Sequence, residues 1–408
     1  MKNCFLFILL ASAVAANAQS PWTIYNEDNS DLPTNQVNKI VIDAANNKWI
    51  GTENGLVVID AAENWTIYNT DNSGIPGNEI RSIYVENDGS FWVGTFFNGL
   101  GHYNGTDWEI FTPANSPLPD YQVKAINKDA NDTMWIGTPS GLIKWDGADY
   151  WFIYTTANSL LHSPHINDIY IDANNDVFIG TLNGGLSTYI DGFVDYYRTD
   201  NSLISDNTVL SIDEDIYHNK WMATSFGGLS VFTSDETFLK FTQLTSDISD
   251  WSVDAVCIDA DNIGLMAMSS TGLNIFNNID WTQYITSNSS MPDDYVNAVA
   301  TDAANRIWMG TDTGGVVILD RALIENTIEN NPVSLNLYPN PATNNCIVTT
   351  NFNEGAIEIY SLSGNLCLSQ KIKSNTLFIN VSDLQSGNYL VKMICSEGVT
   401  SSMLNIVH

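Results

Sequence analysis

Short apolar runs separated by tight polar turns follow one another along most of the chain. The first unit shows the pattern. An apolar run from Val37 to Asp43 ends in the turn cluster Asp43-Ala44-Ala45-Asn46-Asn47. Lys48 to Thr52 follows, then the turn Glu53-Asn54-Gly55, then Leu56 to Asp60, and Trp65 to Tyr68 closes the unit. These runs are labelled strands a, b, c and d. Runs of this length bounded by Gly, Asn and Asp predict antiparallel strands joined as a meander. The 3.6-residue apolar spacing of a helical repeat is missing.

The unit recurs. Trp49-Ile50-Gly51-Thr52 returns as Trp92-Val93-Gly94-Thr95, Trp135-Ile136-Gly137-Thr138, Phe178-Ile179-Gly180-Thr181, Trp221-Met222-Ala223-Thr224, Leu265-Met266-Ala267-Met268 and Trp308-Met309-Gly310-Thr311. The lead positions stand 43 residues apart, with one step of 44. Four strands per unit at this period predict a seven-bladed β-propeller. The consecutive apolar residues of strand a, such as Ile40-Val41-Ile42, predict burial of both its faces. The lead Trp is expected to fill the space between blades, and the Gly after it to allow close approach of a neighbour. Strands a, b and c occur seven times, but no strand d follows Asp320. An orphan strand d, Trp22-Thr23-Ile24-Tyr25, precedes the first unit instead. It is expected to complete the last blade beside Val316–Asp320 and so close the ring.

The periodicity stops after Asp320, and 322–331 reads as a linker. Beyond it lie further strand-like runs: Pro332–Tyr338, Cys346–Thr350, Ala356–Tyr360, Cys367–Lys371, Thr376–Ile379, Tyr389–Ile394 and Met403–Val407. So many short strands in so few residues predict a small β-sandwich. The expected division is therefore a signal peptide over 1–18, a propeller over 19–321, the linker, and a C-terminal domain over 332–408. The signal reading rests on Lys2, the apolar run Phe5–Val14 and the cleavage pattern Ala16-Asn17-Ala18. No later stretch has the length of a transmembrane helix.

Composition narrows the partners. The formal net charge is -32. Almost all of it lies between the signal and the tail, where eleven Lys and Arg face 43 Asp and Glu. Such a surface repels phosphate backbones and anionic lipid heads, which argues against nucleic acid and membrane surfaces. Of the five Cys, Cys4 leaves with the signal, Cys257 sits in an apolar strand, and Cys346, Cys367 and Cys395 leave room for one disulfide. No C-x-x-C or His pair has ligand spacing, so no metal and no cofactor are expected. The clusters Asp172–Asp176 and Asp259–Asn262 carry oxygen ligands of the kind Ca²⁺ favours, yet lack the distal Glu of a full loop, and read as turns.

Asn78 to Thr95, ending in Gly99-Leu100, resembles the two-component regulator propeller repeat of hybrid histidine kinase sensor regions. The resemblance covers Trp22 to Asp320. Copies five and six depart from it most, with Ala223 and Ala267 in place of Gly. The kinase half is missing, so the sensor role does not carry over. In the tail, Leu337-Tyr338-Pro339-Asn340-Pro341-Ala342, Ile359–Gly364 and Ser386–Val391 resemble the type A sorting domain of the type IX (Por) secretion system. That resemblance implies passage across the outer membrane and a partner in the type IX machinery.

No nucleophile elbow, phosphate loop or metal motif occurs. The Asp residues at the ends of strand a, including Asp43, Asp172, Asp259 and Asp302, read as turn formers. Binding chemistry is easier to place. In a propeller the d–a and b–c loops meet at one face, and here they carry most of the differences between copies. Two residues before the first Val or Ile of strand a stand Asn35, Asn78, Tyr121, Pro164, Asn207, Trp251 and Asp294. One residue before it stand Gln36, Glu79, Gln122, His165, Thr208, Ser252 and Tyr295. The b–c loops add Phe96, Phe97 and Phe226. Rings among amides and carboxylates suit a sugar. The candidate ligand-binding residues are therefore Glu79, Phe97, Tyr121, His165, Phe226, Trp251 and Tyr295, for a glycan or protein ligand. The alternatives are a propeller lyase or glycosidase using Glu79, His165, Asp294 and Tyr295, and an adhesion scaffold with no small ligand.

Overall fold

The computed structural model describes residues 20–408 apart from 279, 328–334, 351–353, 362–363, 375, 396–397 and 408. The expected signal peptide lies outside the described residues. The chain divides into two compact units, Met1–Leu323 and Ile324–His408. No helix among the described residues is long and apolar enough to cross a membrane.

The first unit is seven four-stranded antiparallel sheets. In the first blade strand a is Val37–Ile42, b is Lys48–Thr52, c is Gly55–Ile59 and d is Trp65–Tyr68. The seventh takes a, b and c from Val296–Thr301, Ile307–Thr311 and Val316–Leu319. Its fourth strand is Trp22–Tyr25, paired antiparallel with Trp22 opposite Leu319 and Tyr25 opposite Val316. The orphan strand closes the ring as the strand count requires. Its rings pack on both neighbours: Trp22 lies edge-on to Tyr284 of the sixth blade, and Tyr25 to Trp65 of the first.

Each letter of the repeated tetrapeptide has a task. The lead Trp enters the core of the following blade: Trp49 packs with Ile80, Ile83 and Phe91, and Trp308 with Val37, Ile40 and Ile50. Its indole N–H donates to the acid that ends strand a, as in Trp49 to Asp43 (2.8 Å), Trp135 to Asp129 (3.2 Å), Trp221 to Asp215 (2.9 Å) and Trp308 to Asp302 (3.0 Å). The same Asp43 also accepts from the backbone N–H of Asn47, which fixes the a–b turn. Its role is wider than the turn alone. Where the Trp is replaced, a cation takes its place at the carboxylate: Lys220 at Asp172, and Arg321 at Asp259. The Gly sits where the next blade presses closest. A Cβ on Gly310 would lie 2.5 Å from Val37 Cγ1, and one on Gly94 2.6 Å from the Val123 carbonyl oxygen. The Thr hydroxyl donates to the carbonyl that ends the b–c turn, as in Thr95 to Gly99 (2.8 Å) and Thr311 to Gly315 (2.9 Å).

The expectation of a doubly buried strand a needs correction. Strand b is the one buried at every position in all seven blades. Strand a buries Val37 and Ile40 but leaves Asn38 and Lys39 half-buried. It is the innermost strand, and one side of it lines the axis rather than a neighbouring sheet.

A short helix, Arg321–Thr327, stands in the segment expected as a linker. The second unit packs a three-stranded sheet (Leu335–Tyr338, Asn345–Thr350, Thr376–Asn380) against a four-stranded one (Leu366–Ile372, Gly355–Ser361, Gly387–Cys395, Gly398–Ile406). Val348 and Ile379 of one sheet and Ile357, Ile359, Val391, Met393 and Leu404 of the other share one core. This is the expected sandwich, with a longer final hairpin. Cys257, Cys346 and Cys367 form no disulfide among the described residues.

Candidate functional site

The d–a loops are built to one plan that the strand reading missed. Each carries an Asn-Ser pair, Thr-Ser in the sixth loop, four and five residues after strand d. Asn72 Nδ2 donates back to the Ile67 carbonyl (2.9 Å), Asn115 to Ile110 (2.8 Å) and Asn158 to Ile153 (2.8 Å). The Ser hydroxyl donates to the carbonyl four residues earlier, as in Ser73 to Asn69 (2.8 Å) and Ser159 to Thr155 (2.7 Å). A buried apolar residue then anchors the loop: Leu32, Ile75, Leu118, Leu161, Ile204, Ile248 or Met291. The b–c loops are tied to this scaffold. In six of the seven a glycine N–H donates to the d–a loop that follows, as from Gly55 to Asn78 (2.7 Å), Gly99 to Tyr121 (2.8 Å), Gly228 to Trp251 (2.7 Å) and Gly272 to Asp294 (2.8 Å). Gly99 has a φ of 85°, and a Cβ there would lie 2.2 Å from the Phe111 carbonyl oxygen. The two loop sets therefore share one face, on a fixed backbone.

Side chains on this frame fall into two groups. Asn35, Asn78, Asn207 and Asp294 turn inward and accept from the backbone N–H of Glu27, Thr70, Thr199 and Thr286, each at 2.7–2.9 Å. They brace their own loops. Tyr121, Pro164 and Trp251 occupy the same position without that bond. Phe97, Tyr121, Phe226 and Tyr295 are 67%, 45%, 75% and 56% exposed, and Trp251 is half-buried. Phe97 packs edge-on against Phe96 (4.3 Å between centroids). Among the described residues, Tyr121, Phe226, Trp251 and Tyr295 have no ring partner, unlike the rings between blades.

Within the ring lies a cavity of about 340 Å³ lined from all seven a strands. Its wall follows from a bulge. In six blades the register slips between the first and third residues of strand a, so two residues face one on strand b. In the third, Lys124 donates its N–H to the same Gly137 that pairs with Ala125. The extra residue of every blade lines the cavity: Asn38, Arg81, Lys124, Asn167, Leu210, Asp254 and Asn297. Lys39, Asp168 and Asp312 join them. The loop positions singled out from the sequence, Gln36, Glu79, Gln122, His165 and their counterparts, lie two residues before this ring. The available signal was the break in apolar character just after the first Val or Ile.

Glu79 and His165 belong to the wall through their partners. Glu79 pairs with Arg81, whose guanidinium also reaches Asn38 Oδ1 (3.2 Å) and lies 5.0 Å from the Phe96 ring. Lys124 Nζ meets His165 Nε2 at 3.0 Å and donates to Asn167 Oδ1 at 2.8 Å. Burial, then the nearby Arg81, lowers the Lys124 pKa. Burial, then Lys124, lowers that of His165 and favours its neutral form. Burial raises Asp254, against a 2.7 Å bond from Ser269. The carboxylate of Asp294, a candidate for acid–base work, is held by Thr286 of its own loop. Asp172 and Asp259, weighed above for calcium, spend Oδ1 on backbone N–H groups of their turns. No cluster of three or more metal-ligating side chains occurs among the described residues.

Comparison with known proteins agrees with this architecture. Residues 336–406 match the secretion system C-terminal sorting domain, and residues 74–97 and 290–313 match the two component regulator propeller. No curated protein matches the chain by sequence. Among solved structures, the extracellular domain of a hybrid two component system from B. thetaiotaomicron is similar at TM-score 0.65 and 21% identity, over 96% of this chain and 58% of that one. PorZ, a surface component of the type-IX secretion system of Porphyromonas gingivalis, is similar at 0.59 and 15%, over 92% and 60%. Virginiamycin B lyase from Staphylococcus aureus is similar at 0.58 and 14%, over 73% and 98%. The chain thus spans less than two thirds of the first two, and at these identities the likeness is one of fold.

Proposed function

We propose that this chain, a ring of two-component-regulator propeller repeats with a type IX sorting tail that directs it to the cell surface or beyond, is a binding module for a glycan. Its export begins with a signal peptide cleaved after Ala18. The ligand lies across the d–a and b–c loops, against Phe97, Tyr121, Phe226, Trp251 and Tyr295. One observation carries this reading. Four of these rings, on loops tied together by the glycine N–H bonds, lie at or near the surface with no ring to pack on among the described residues. Rings on a backbone already ordered leave less entropy to lose on binding, and their apolar faces suit the C–H faces of a sugar. The surrounding amides and carboxylates supply partners for hydroxyl groups.

A glycan array followed by calorimetry tests it. Tyr121→Ala and Trp251→Ala are each expected to weaken binding at least about tenfold, as truncation of an aromatic anchor does. Unchanged affinity in both variants removes this face from the binding site.

A further inference from the structure

The cavity wall is at odds with the rest of the molecule. Only eleven Lys and Arg lie between the expected signal and the tail of a chain with net charge -32, yet Lys39, Arg81 and Lys124 all line this one cavity. They come from three consecutive blades. Arg81 is neutralised by Glu79. The other two are not. Lys124 has only a neutral amide and an imidazole as partners, and the Lys39 ammonium has neither a hydrogen bond nor an ion pair among the described residues. Neither ammonium has a carboxylate within ion-pair distance among the described residues, although three aspartates line the same cavity, so each is open to an anion that enters.

The opposite arc has a different chemistry. Asp168, Asp254 and Asp312 line it, with Asn297 from the seventh blade. Asp168 Oδ2 takes the Ile212 N–H at 2.8 Å and Asp254 Oδ1 takes the Ser269 hydroxyl at 2.7 Å, so each keeps a second oxygen for a donor. One side of the cavity thus calls for negative charge and the other for hydroxyl donors. A volume of about 340 Å³ is near the low end for small-ligand sites, roughly 300–1,000 Å³, and suits one sugar ring rather than a chain.

We infer that the axial cavity receives a uronic acid residue of an acidic oligosaccharide, its carboxylate between Lys39 and Lys124 and its hydroxyls on Asp168, Asp254 and Asp312. This inference rests on the glycan reading of the loop face and names its substrate class. The neighbouring sugars lie outward, across the aromatic loops. The acidic exterior does not forbid the pairing. Exposed charges are screened beyond about 8 Å at physiological salt, whereas the two lysines act at contact distance.

The test uses the full mature chain on an array of uronate-containing oligosaccharides, each printed beside its carboxyl-reduced form. Acid forms are expected to bind and their reduced partners to fail. By calorimetry on a bound acid form, Lys124→Gln and Lys39→Gln are each expected to lose about ten- to a hundredfold in affinity, the range for a charge-assisted hydrogen bond. Lys39 has no partner to lose, so its variant reports on binding even if Lys124→Gln unfolds. The exposed Lys240→Gln is expected to bind as the parent does. If neutral oligosaccharides bind and both lysine variants keep full affinity, the uronate assignment falls while the glycan reading stands. If no oligosaccharide of either kind binds, both fall.

Discussion

The indole N–H of Trp49 meets the carboxylate of Asp43 at 2.8 Å across the first hairpin of its blade. The same carboxylate takes the backbone and side-chain N–H groups of Asn47, both at 2.8 Å. One acid thus joins a turn to a buried ring. Asp43→Ala should cost about 2–4 kcal/mol, because it strands a buried donor and loosens the turn together. Trp49→Phe, which leaves the turn bonds in place, should cost about 1–3 kcal/mol. Urea unfolding of both single variants and the double variant should show less than additive losses.

The closing strand offers a second measurement. Deleting residues 20–26 bares the edge Val316–Leu319 and removes the Trp22 and Tyr25 ring contacts. The truncated chain should melt well below the full one and associate through its open edge. Thermal melting with size-exclusion chromatography checks both effects. Unchanged melting would mean the ring holds without its clasp.

Stability should also depend on pH through Asp213. Its carboxylate accepts from the backbone N–H of Ile258 (2.6 Å) and Glu214 (2.8 Å), and burial pushes its pKa up to about 6. Between the ordinary Asp value, about 3.9, and about 6, the folded chain keeps a proton that the unfolded chain releases. Stability contributed by this group therefore falls as pH rises through that window and is level above it. Relative to Asp213→Asn, the parent should lose up to about 3 kcal/mol between pH 4 and pH 7. Urea midpoints of the two proteins across that range give the difference.

The fold was legible because each blade repeats the same few packing needs. The 43-residue register located seven buried b strands, and the strand count alone led to Trp22–Tyr25 as the missing partner of the last blade. The axis was not legible. An apolar run such as Ile40-Val41-Ile42 looks like a strand buried on both sides, and a bulge after Val37 leaves no spacing signal in a single sequence. Asn38, Arg81 and Lys124 therefore passed as ordinary strand residues, two places beyond the loop positions that drew attention. Asp43 was half read: its turn role follows from residue type, but an acceptor for an indole six residues on needs the hairpin geometry. At the loop face, residue type picked out Tyr121 and Trp251, while the bracing by Asn35 and Asn78 that makes them exceptions became visible only in the hydrogen bonds.

The pairing of Trp22 with Leu319 also sets a timetable. The residues that finish the last blade are among the earliest of the described residues to be made, and their partners come at the far end of the propeller sequence. Six sheets can form as their local strands emerge, but the seventh must wait, and the loop it closes is the longest in the molecule. A chain arrested anywhere before Val316 carries an unmatched leading strand, while one that reaches Leu319 can seal itself. Completion of the ring thus serves as a length check on the polypeptide, read out by the chain itself.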